Sequence, residues 1–146
     1  MPGEGQTFSV RSRSRVEPID ISGEVAEAVR ESGVAEGIVC VSTSHTTAAL
    51  YVNENERGLR RDVVTMAERL LDLGGSYEHN RVDSNAEAHL AATLIGNSVV
   101  LPVSGGRPEL GTWQRLFFLE LDGPRTRTVR VNVVASVGDA PVAGSG

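Results

Sequence analysis

From Ser98 to Val137 the chain is a succession of strand patterns separated only by short turns. Ser98 to Val103 and Arg115 to Leu121 are rich in Val, Leu and Phe. Thr126 to Val137 alternates, with Val129, Val131 and Val133 on one face and Arg130 and Asn132 on the other. Parallel neighbours need a crossover of about a dozen residues or more, which such turns cannot supply, so this region points to antiparallel sheet. Asp122-Gly123-Pro124-Arg125 reads as a hairpin loop between the last two strands, and Ser104-Gly105-Gly106-Arg107 as a tight turn.

Ahead of this region helices and strands are mixed. Residues 7–16, T-F-S-V-R-S-R-S-R-V, alternate as one strand whose Arg11, Arg13 and Arg15 share a solvated face. Ser22 is placed to cap a helix through Ser32, which Gly33 ends, and Gly37 to Ser42 is an apolar run suited to a buried strand, with Cys40 as a small core residue. Leu59, Val63, Met66, Ala67, Leu70 and Leu71 form the stripe of an amphipathic helix from Asn55 to Leu73, closed by Gly74-Gly75 and capped from Asn53, Glu54 or Asn55. Ser84-Asn85-Ala86-Glu87 is a capping-box pattern for a further helix ending at Gly96. The expected fold class is therefore α+β: one domain over residues 1–138, with a largely antiparallel β-sheet and packed helices, then a flexible C-terminal tail over 139–146. At 146 residues the chain is too short for a (β/α)₈ barrel, which needs about 250.

The chain carries 14 basic and 19 acidic residues, a net charge of −5, and every basic residue is Arg. Without a basic block it lacks the footprint that draws nucleic acid or an anionic membrane. Cys40 is the single cysteine, which excludes an intrachain disulfide. With no signal-peptide pattern at Met-Pro-Gly-Glu-Gly and no long apolar run, the expected location is cytoplasmic.

The three histidines all sit among small or polar residues: S-T-S-H-T-T around His45, Y-E-H-N around His79 and N-A-E-A-H up to His89. Imidazole is the commonest metal ligand and the side chain that titrates nearest neutrality, so convergence of the three would make a metal or acid–base site. Their spacing matches no H-E-x-x-H or Cys/His pattern, and three separate surface histidines remain the alternative. His45 follows a strand pattern among hydroxyls. Ser44 or Thr46 as its nucleophile is disfavoured, because strand neighbours point to opposite faces and no G-x-S-x-G elbow is present. The hydroxyls suit phosphate binding or support of a metal. Asp83, close in sequence to both His79 and His89, is the candidate carboxylate for orienting an imidazole. Gly105, Gly106 and Arg107 could meet an anion through backbone amides and a guanidinium, and Trp113 could stack on a heterocycle. The plainer roles are turn glycines and an edge or interface Trp.

Taken together, T-S-H-T-T-A-A-L around His45, Y-E-H from Tyr77, D-S-N-A-E-A-H-L from Asp83, L-G-T-W-Q from Leu110 and L-D-G-P-R-T-R from Leu121 resemble the YjbQ-like family, also called the secondary thiamine-phosphate synthase or UPF0047 family. The resemblance implies a compact α+β fold, a homotrimer, and a site near subunit contacts around His45, His79 and His89. It also implies an activity: joining a pyrimidine diphosphate to a thiazole phosphate with release of pyrophosphate. On that expectation Thr46, Gly105, Gly106 and Arg107 meet a small phosphorylated metabolite, and Trp113 and Gln114 line or support the pocket. A three-histidine set suits Zn²⁺ best, with Mg²⁺ or Mn²⁺ as other candidates. The sequence shows neither a carboxylate cluster nor a Lys to neutralise a pyrophosphate leaving group. Two alternatives follow: a metal-dependent hydrolase of a small phosphorylated or acyl compound, and a non-enzymatic trimeric metabolite-binding protein. G-R-P-E-L departs from the family's more usual G-R-L-x-L at Pro108, which touches the placement of Arg107.

Overall fold

A computed structural model describes residues 5–71, 77–81 and 85–138. Asp83, Ser84, Gly74-Gly75 and the 139–146 tail lie outside the described residues. The order is β1 (Gln6–Arg11), β2 (Glu17–Asp20), α1 (Ser22–Ser32), β3 (Gly37–Ser42), β4 (Ala48–Glu54), α2 (Arg57–Leu71), a 3₁₀ turn (Glu78–Arg81), α3 (Ala86–Ile95), β5 (Ser98–Ser104), β6 (Arg107–Pro108), β7 (Gln114–Glu120) and β8 (Thr126–Ala135). A five-stranded sheet, β1-β8-β3-β5-β6, faces a three-stranded one, β2-β7-β4. Every described strand pair is antiparallel, which makes the α+β reading correct.

The two-residue period of β7 builds both cores. Leu116 and Phe118 face the large sheet, where they meet Val39 and Val41 of β3, Val129 and Val131 of β8, and Val25 and Val29 of α1. Leu119 and Leu121 face the other way, onto Ala67 and Leu71 of α2 and the Ala88, Ala91 and Ala92 stripe of α3. Small alanines let α3 lie close to the sheet, and this fixes where His89 stands. Between them Phe117 stacks on its cross-strand partner Tyr51, with ring centroids 4.9 Å apart.

Several local expectations need correction. The 7–16 alternation is not one strand: β1 ends at Arg11, Ser12 turns inward, and Glu17 Oε1 accepts the backbone N–H groups of Arg13 (2.7 Å) and Ser14 (3.3 Å) before β2 joins the other sheet. Nor is 122–125 a hairpin, because β7 and β8 belong to different sheets and the loop crosses between them. Gly123, preceding a cis Pro124, is forced there by crowding: a Cβ would collide with the Ser14 carbonyl oxygen and lie 2.6 Å from Ser12 Oγ. Ser22 does not cap α1. Ile21 is the cap residue, Asp20 Oδ1 accepts the Ser22 N–H (2.9 Å), and Ser22 Oγ accepts the Leu116 N–H (2.8 Å). Gly33 does end that helix, with φ +72°. The first amides of α2 are satisfied by Glu56, whose carboxylate accepts from Gly58 (2.8 Å) and Leu59 (2.6 Å), and not by Asn53, Glu54 or Asn55. Cys40 is only half-buried, on the opposite face of β3 from Val39 and Val41. No described helix is long and apolar enough to cross a membrane.

Candidate functional site

His45 and His89 line one cavity of about 440 Å³ between the loop after β3 and the outer side of α3. The alanine stripe of α3 is turned to the core, so His89 and Thr93, one turn apart, face this cavity together. Thr43 is buried and builds the His45 loop: its hydroxyl donates to the Thr128 carbonyl (3.1 Å) and accepts the His45 N–H (3.3 Å). Ser44 and Thr46 are exposed on the lining. His79, on the 3₁₀ turn, packs edge-to-face on His89 with ring centroids 4.4 Å apart. The fold therefore gathers all three histidines at one place.

Each outer imidazole has a defined partner. His45 Nε2 accepts the backbone N–H of Thr128 at 2.9 Å. Its pKa lies below the usual histidine value, because of partial burial first and then the Arg127 charge, with Arg125 adding and Glu120 opposing. His79 Nε2 is 3.1 Å from Asn85 Oδ1, Asn85 Nδ2 donates to Asp122 Oδ2 at 2.9 Å, and Arg125 Nη2 donates to the same carboxylate oxygen at 2.8 Å. Asn85 stands at the cap position of α3, yet its side chain makes no cap hydrogen bond.

Beneath His45 lies a buried ion pair. Residues 120 and 127 continue the inward stripes Leu116-Phe118 and Val129-Val131 between the sheets, but they are Glu and Arg, 0% and 3% exposed. Arg127 Nε donates to Glu120 Oε1 (2.9 Å), and its Nη2 donates to Oε2 and to Thr47 Oγ1 (2.9 Å). Ser12 Oγ (2.7 Å) and the N–H groups of Leu121 (3.1 Å) and Asp122 (3.0 Å) also donate to Glu120. Burial alone would raise the Glu120 pKa, but the Arg127, Ser12 and Asp122 donors outweigh it and hold the carboxyl below its ordinary value.

The remaining expected residues lie apart. Gly105, Gly106 and Arg107 border a different cavity of about 550 Å³, against α1. Gln114 folds back so that its Oε1 accepts the Gly111 N–H (2.8 Å), closing a turn from which Trp113 projects 72% exposed. Neither Trp113 nor Gln114 lines the histidine cavity. Among the described residues no three His, Cys, Asp or Glu side chains are placed to hold a metal ion. Asp83 is outside the described residues, and the carboxylate seen behind His79 is Asp122, acting through Asn85. The sequence reading passed over Asn85, Glu120, Asp122 and Arg127. Charges at the ends of apolar alternations, Glu120 after L-F-F-L and Arg127 before V-R-V, were the available signal.

A family model described as UPF0047 protein YjbQ-like matches residues 6–136. The chain belongs to the YjbQ-like UPF0047 family. A UPF0047 protein of Archaeoglobus fulgidus is 52% identical over 127 residues, spanning 87% of this chain and 98% of that relative. One from Bacillus subtilis, YugU, is 34% identical over 133 residues, spanning 88% and 98%. Among solved structures, a hypothetical protein from Aeropyrum pernix K1 superposes with a TM-score of 0.86 at 45% identity, covering 91% of this UPF0047 chain and 99% of that one. A YbjQ-like protein of unknown function from Sulfolobus solfataricus P2 also reaches 0.86, at 38% identity and 91% and 97% coverage.

Proposed function

We propose that this UPF0047 protein carries out acid–base chemistry on a small phosphorylated metabolite in the cavity between His45 and His89, with secondary thiamine-phosphate synthesis as the first activity to test. The observation that carries this reading is the placement of His45 and His89 on one hydroxyl-lined cavity, with His79 packed against His89. Hydroxyls and imidazole N–H groups suit phosphate oxygens, and imidazole moves protons near neutral pH. The test supplies the pyrimidine diphosphate and the thiazole phosphate together and measures thiamine phosphate and pyrophosphate. Product formation that falls at least tenfold in His89→Ala supports the reading. Equal background rates with wild type and variant oppose it.

One observation favours hydrolysis of a small phosphorylated compound over transfer as a second reading, here without the metal of the expected metal-dependent hydrolase. Among the described residues the lining includes no Lys or Arg, and nearby Arg125 and Arg127 are committed to Asp122 and Glu120, so these supply little fixed charge for a pyrophosphate leaving group. Turnover of a simple phosphate ester without a second substrate would select it. The expected three-histidine zinc site does not fit the described residues as a closed set, because the His45 Nε2 lone pair is already engaged by Thr128. Elemental analysis of wild type beside His79→Ala and His89→Ala tests for a bound cation.

The expected homotrimer has a matching surface. Ile38 lies opposite Val134 and Pro102, and Cys40 opposite Val100, on the outer face of the large sheet. Ile38, Val100 and Val134 are 46%, 58% and 55% exposed there, an apolar patch of the kind that association covers. Light scattering on wild type and Val134→Asp gives the oligomeric state and its dependence on this face.

A further inference from the structure

The partners of two of the histidines fix which ring nitrogen carries the proton. A backbone N–H can only donate, so His45 Nε2, 2.9 Å from Thr128 N, must be an acceptor. A neutral His45 then carries its proton on Nδ1, the rarer form for an unconstrained imidazole. At His79 the constraint is relayed through Arg125, Asp122 and Asn85. Asp122 is paired with Arg125, whose guanidinium donates to it, and a carboxylate only accepts. Asn85 must therefore turn its amide N–H₂ to Asp122 and its oxygen to His79, which obliges His79 Nε2 to donate. An Asn at a helix N-cap normally bonds the first amides, and Asn85 forgoes that bond to make this chain.

We infer that His45, on the cavity, and His79, packed behind the cavity's His89, are held as opposite tautomers, His45 as a hydrogen-bond donor through Nδ1–H and His79 with its lone pair on Nδ1, and that Asn85 and Asp122 are the positioning residues that hold His79 in this state. His45 then offers a donor to a phosphate or carbonyl oxygen in the cavity, while His79 offers an acceptor beside His89, a division of labour that two identical histidines could not provide. His45 is suited to donating while neutral, since partial burial and the neighbouring Arg127 disfavour its protonation. The same geometry explains why His45 does not complete a metal site: to offer a lone pair it would have to surrender the Thr128 bond.

The roles, though not the tautomers, rest on the proposed acid–base reading, and the test needs no substrate. Long-range ¹H–¹⁵N spectra of the full chain, labelled at histidine, report the protonated nitrogen of each ring at neutral pH. His45→Gln, His79→Gln and His89→Gln assign the signals. The expected result is an Nδ1–H pattern for His45 and an Nε2–H pattern for His79, with solvent exchange of the His79 Nε2 proton at least tenfold faster in Asn85→Ala. The His45 pattern should be unchanged in that variant, which also reports that it remains folded. If Asn85→Ala fails to fold, Asp122→Asn supplies the same exchange measurement. An Nε2–H pattern at His45, an Nδ1–H pattern at His79, or exchange at His79 indifferent to the substitution overturns the inference. Failure to form thiamine phosphate leaves all three spectra as they are, so the two readings fail separately.

Discussion

Replacing Arg127 with Met tests whether the ion pair between the sheets is a structural necessity of this core. Met fills much of the volume of the Arg stem, so the main loss is electrostatic. Two charge-assisted bonds to Glu120 disappear, together with one to Thr47 Oγ1. Bonds to charged groups are worth about 1.5–3 kcal/mol each, and breaking a buried pair on one side costs about 3–5 kcal/mol, because the remaining charge is stranded. Glu120 keeps donors from Ser12, Leu121 and Asp122, which places the expected loss near the lower end, at about 3 kcal/mol at pH 7. Urea denaturation measures it directly. The pH dependence gives the sharper test. In the wild type Glu120 has a lowered pKa, so its contribution is fully present above the unfolded carboxyl value of about 4.3 and is lost as pH falls through the folded value below that. In Arg127→Met burial dominates and the folded pKa rises, so the stranded charge is relieved by protonation. The gap between the two proteins should therefore narrow on acidification. A gap under about 1 kcal/mol at pH 7, or one that widens toward pH 4, would refute this account of the pair.

Three further outcomes follow from particular contacts. Gly123→Ala, which drives a Cβ against Ser14, Ser12 and Glu120, should lower stability by about 1–3 kcal/mol in the same urea assay, whereas Gly138→Ala, with open space around it, should change nothing measurable. Tyr51, partly buried and stacked on Phe117, has its phenol pushed up to about 12, so alkaline absorbance titration should show a late step that Tyr51→Phe removes. Because that folded value lies above the unfolded one of about 10, the tyrosine's contribution is intact below pH 10 and fades as pH rises through 12. Trp113, the single tryptophan, should emit as a solvated indole and be quenched by acrylamide, and a blue-shifted, protected emission would show that another copy or a ligand covers it.

The parts of the fold legible in the sequence were those with a single partner face. The α2 stripe (the exposed Met66 aside), Gly33 after α1 and the alternation of β8 follow from local patterns with one buried side. Which strands share a sheet was not legible, because that depends on non-local pairing. Asp122-Gly123-Pro124-Arg125 has good turn chemistry, but turn chemistry does not say whether the flanking strands reunite or part. In this chain β7 is occupied on both edges, by β2 and β4, leaving β8 no edge to join there. The Ser22 cap failed for a related reason: a tertiary partner, Leu116, claims its hydroxyl, just as Asp122 claims the side chain of Asn85, which stands at the cap position of α3.

The site follows from that parting of β7 and β8. Had they closed a hairpin, the side chains of Glu120 and Arg127 would have flanked a surface turn. Sent to opposite sheets, the two strands bring these residues face to face across the core, and the loop between them carries Asp122 and Arg125 out to Asn85 and His79. The same crossing starts β8 so that Thr128 stands beside the loop after β3 and receives His45. The three histidines were visible as residues; their distinct partners were not, because Thr128 reaches His45 from a distant strand, and Asn85, though near His79 in sequence, is turned toward it by the distant Asp122. Residues 120–128 thus set the chemistry of histidines they do not contain. Changes there should alter the spectra of His45 and His79 before they alter the lining of the cavity.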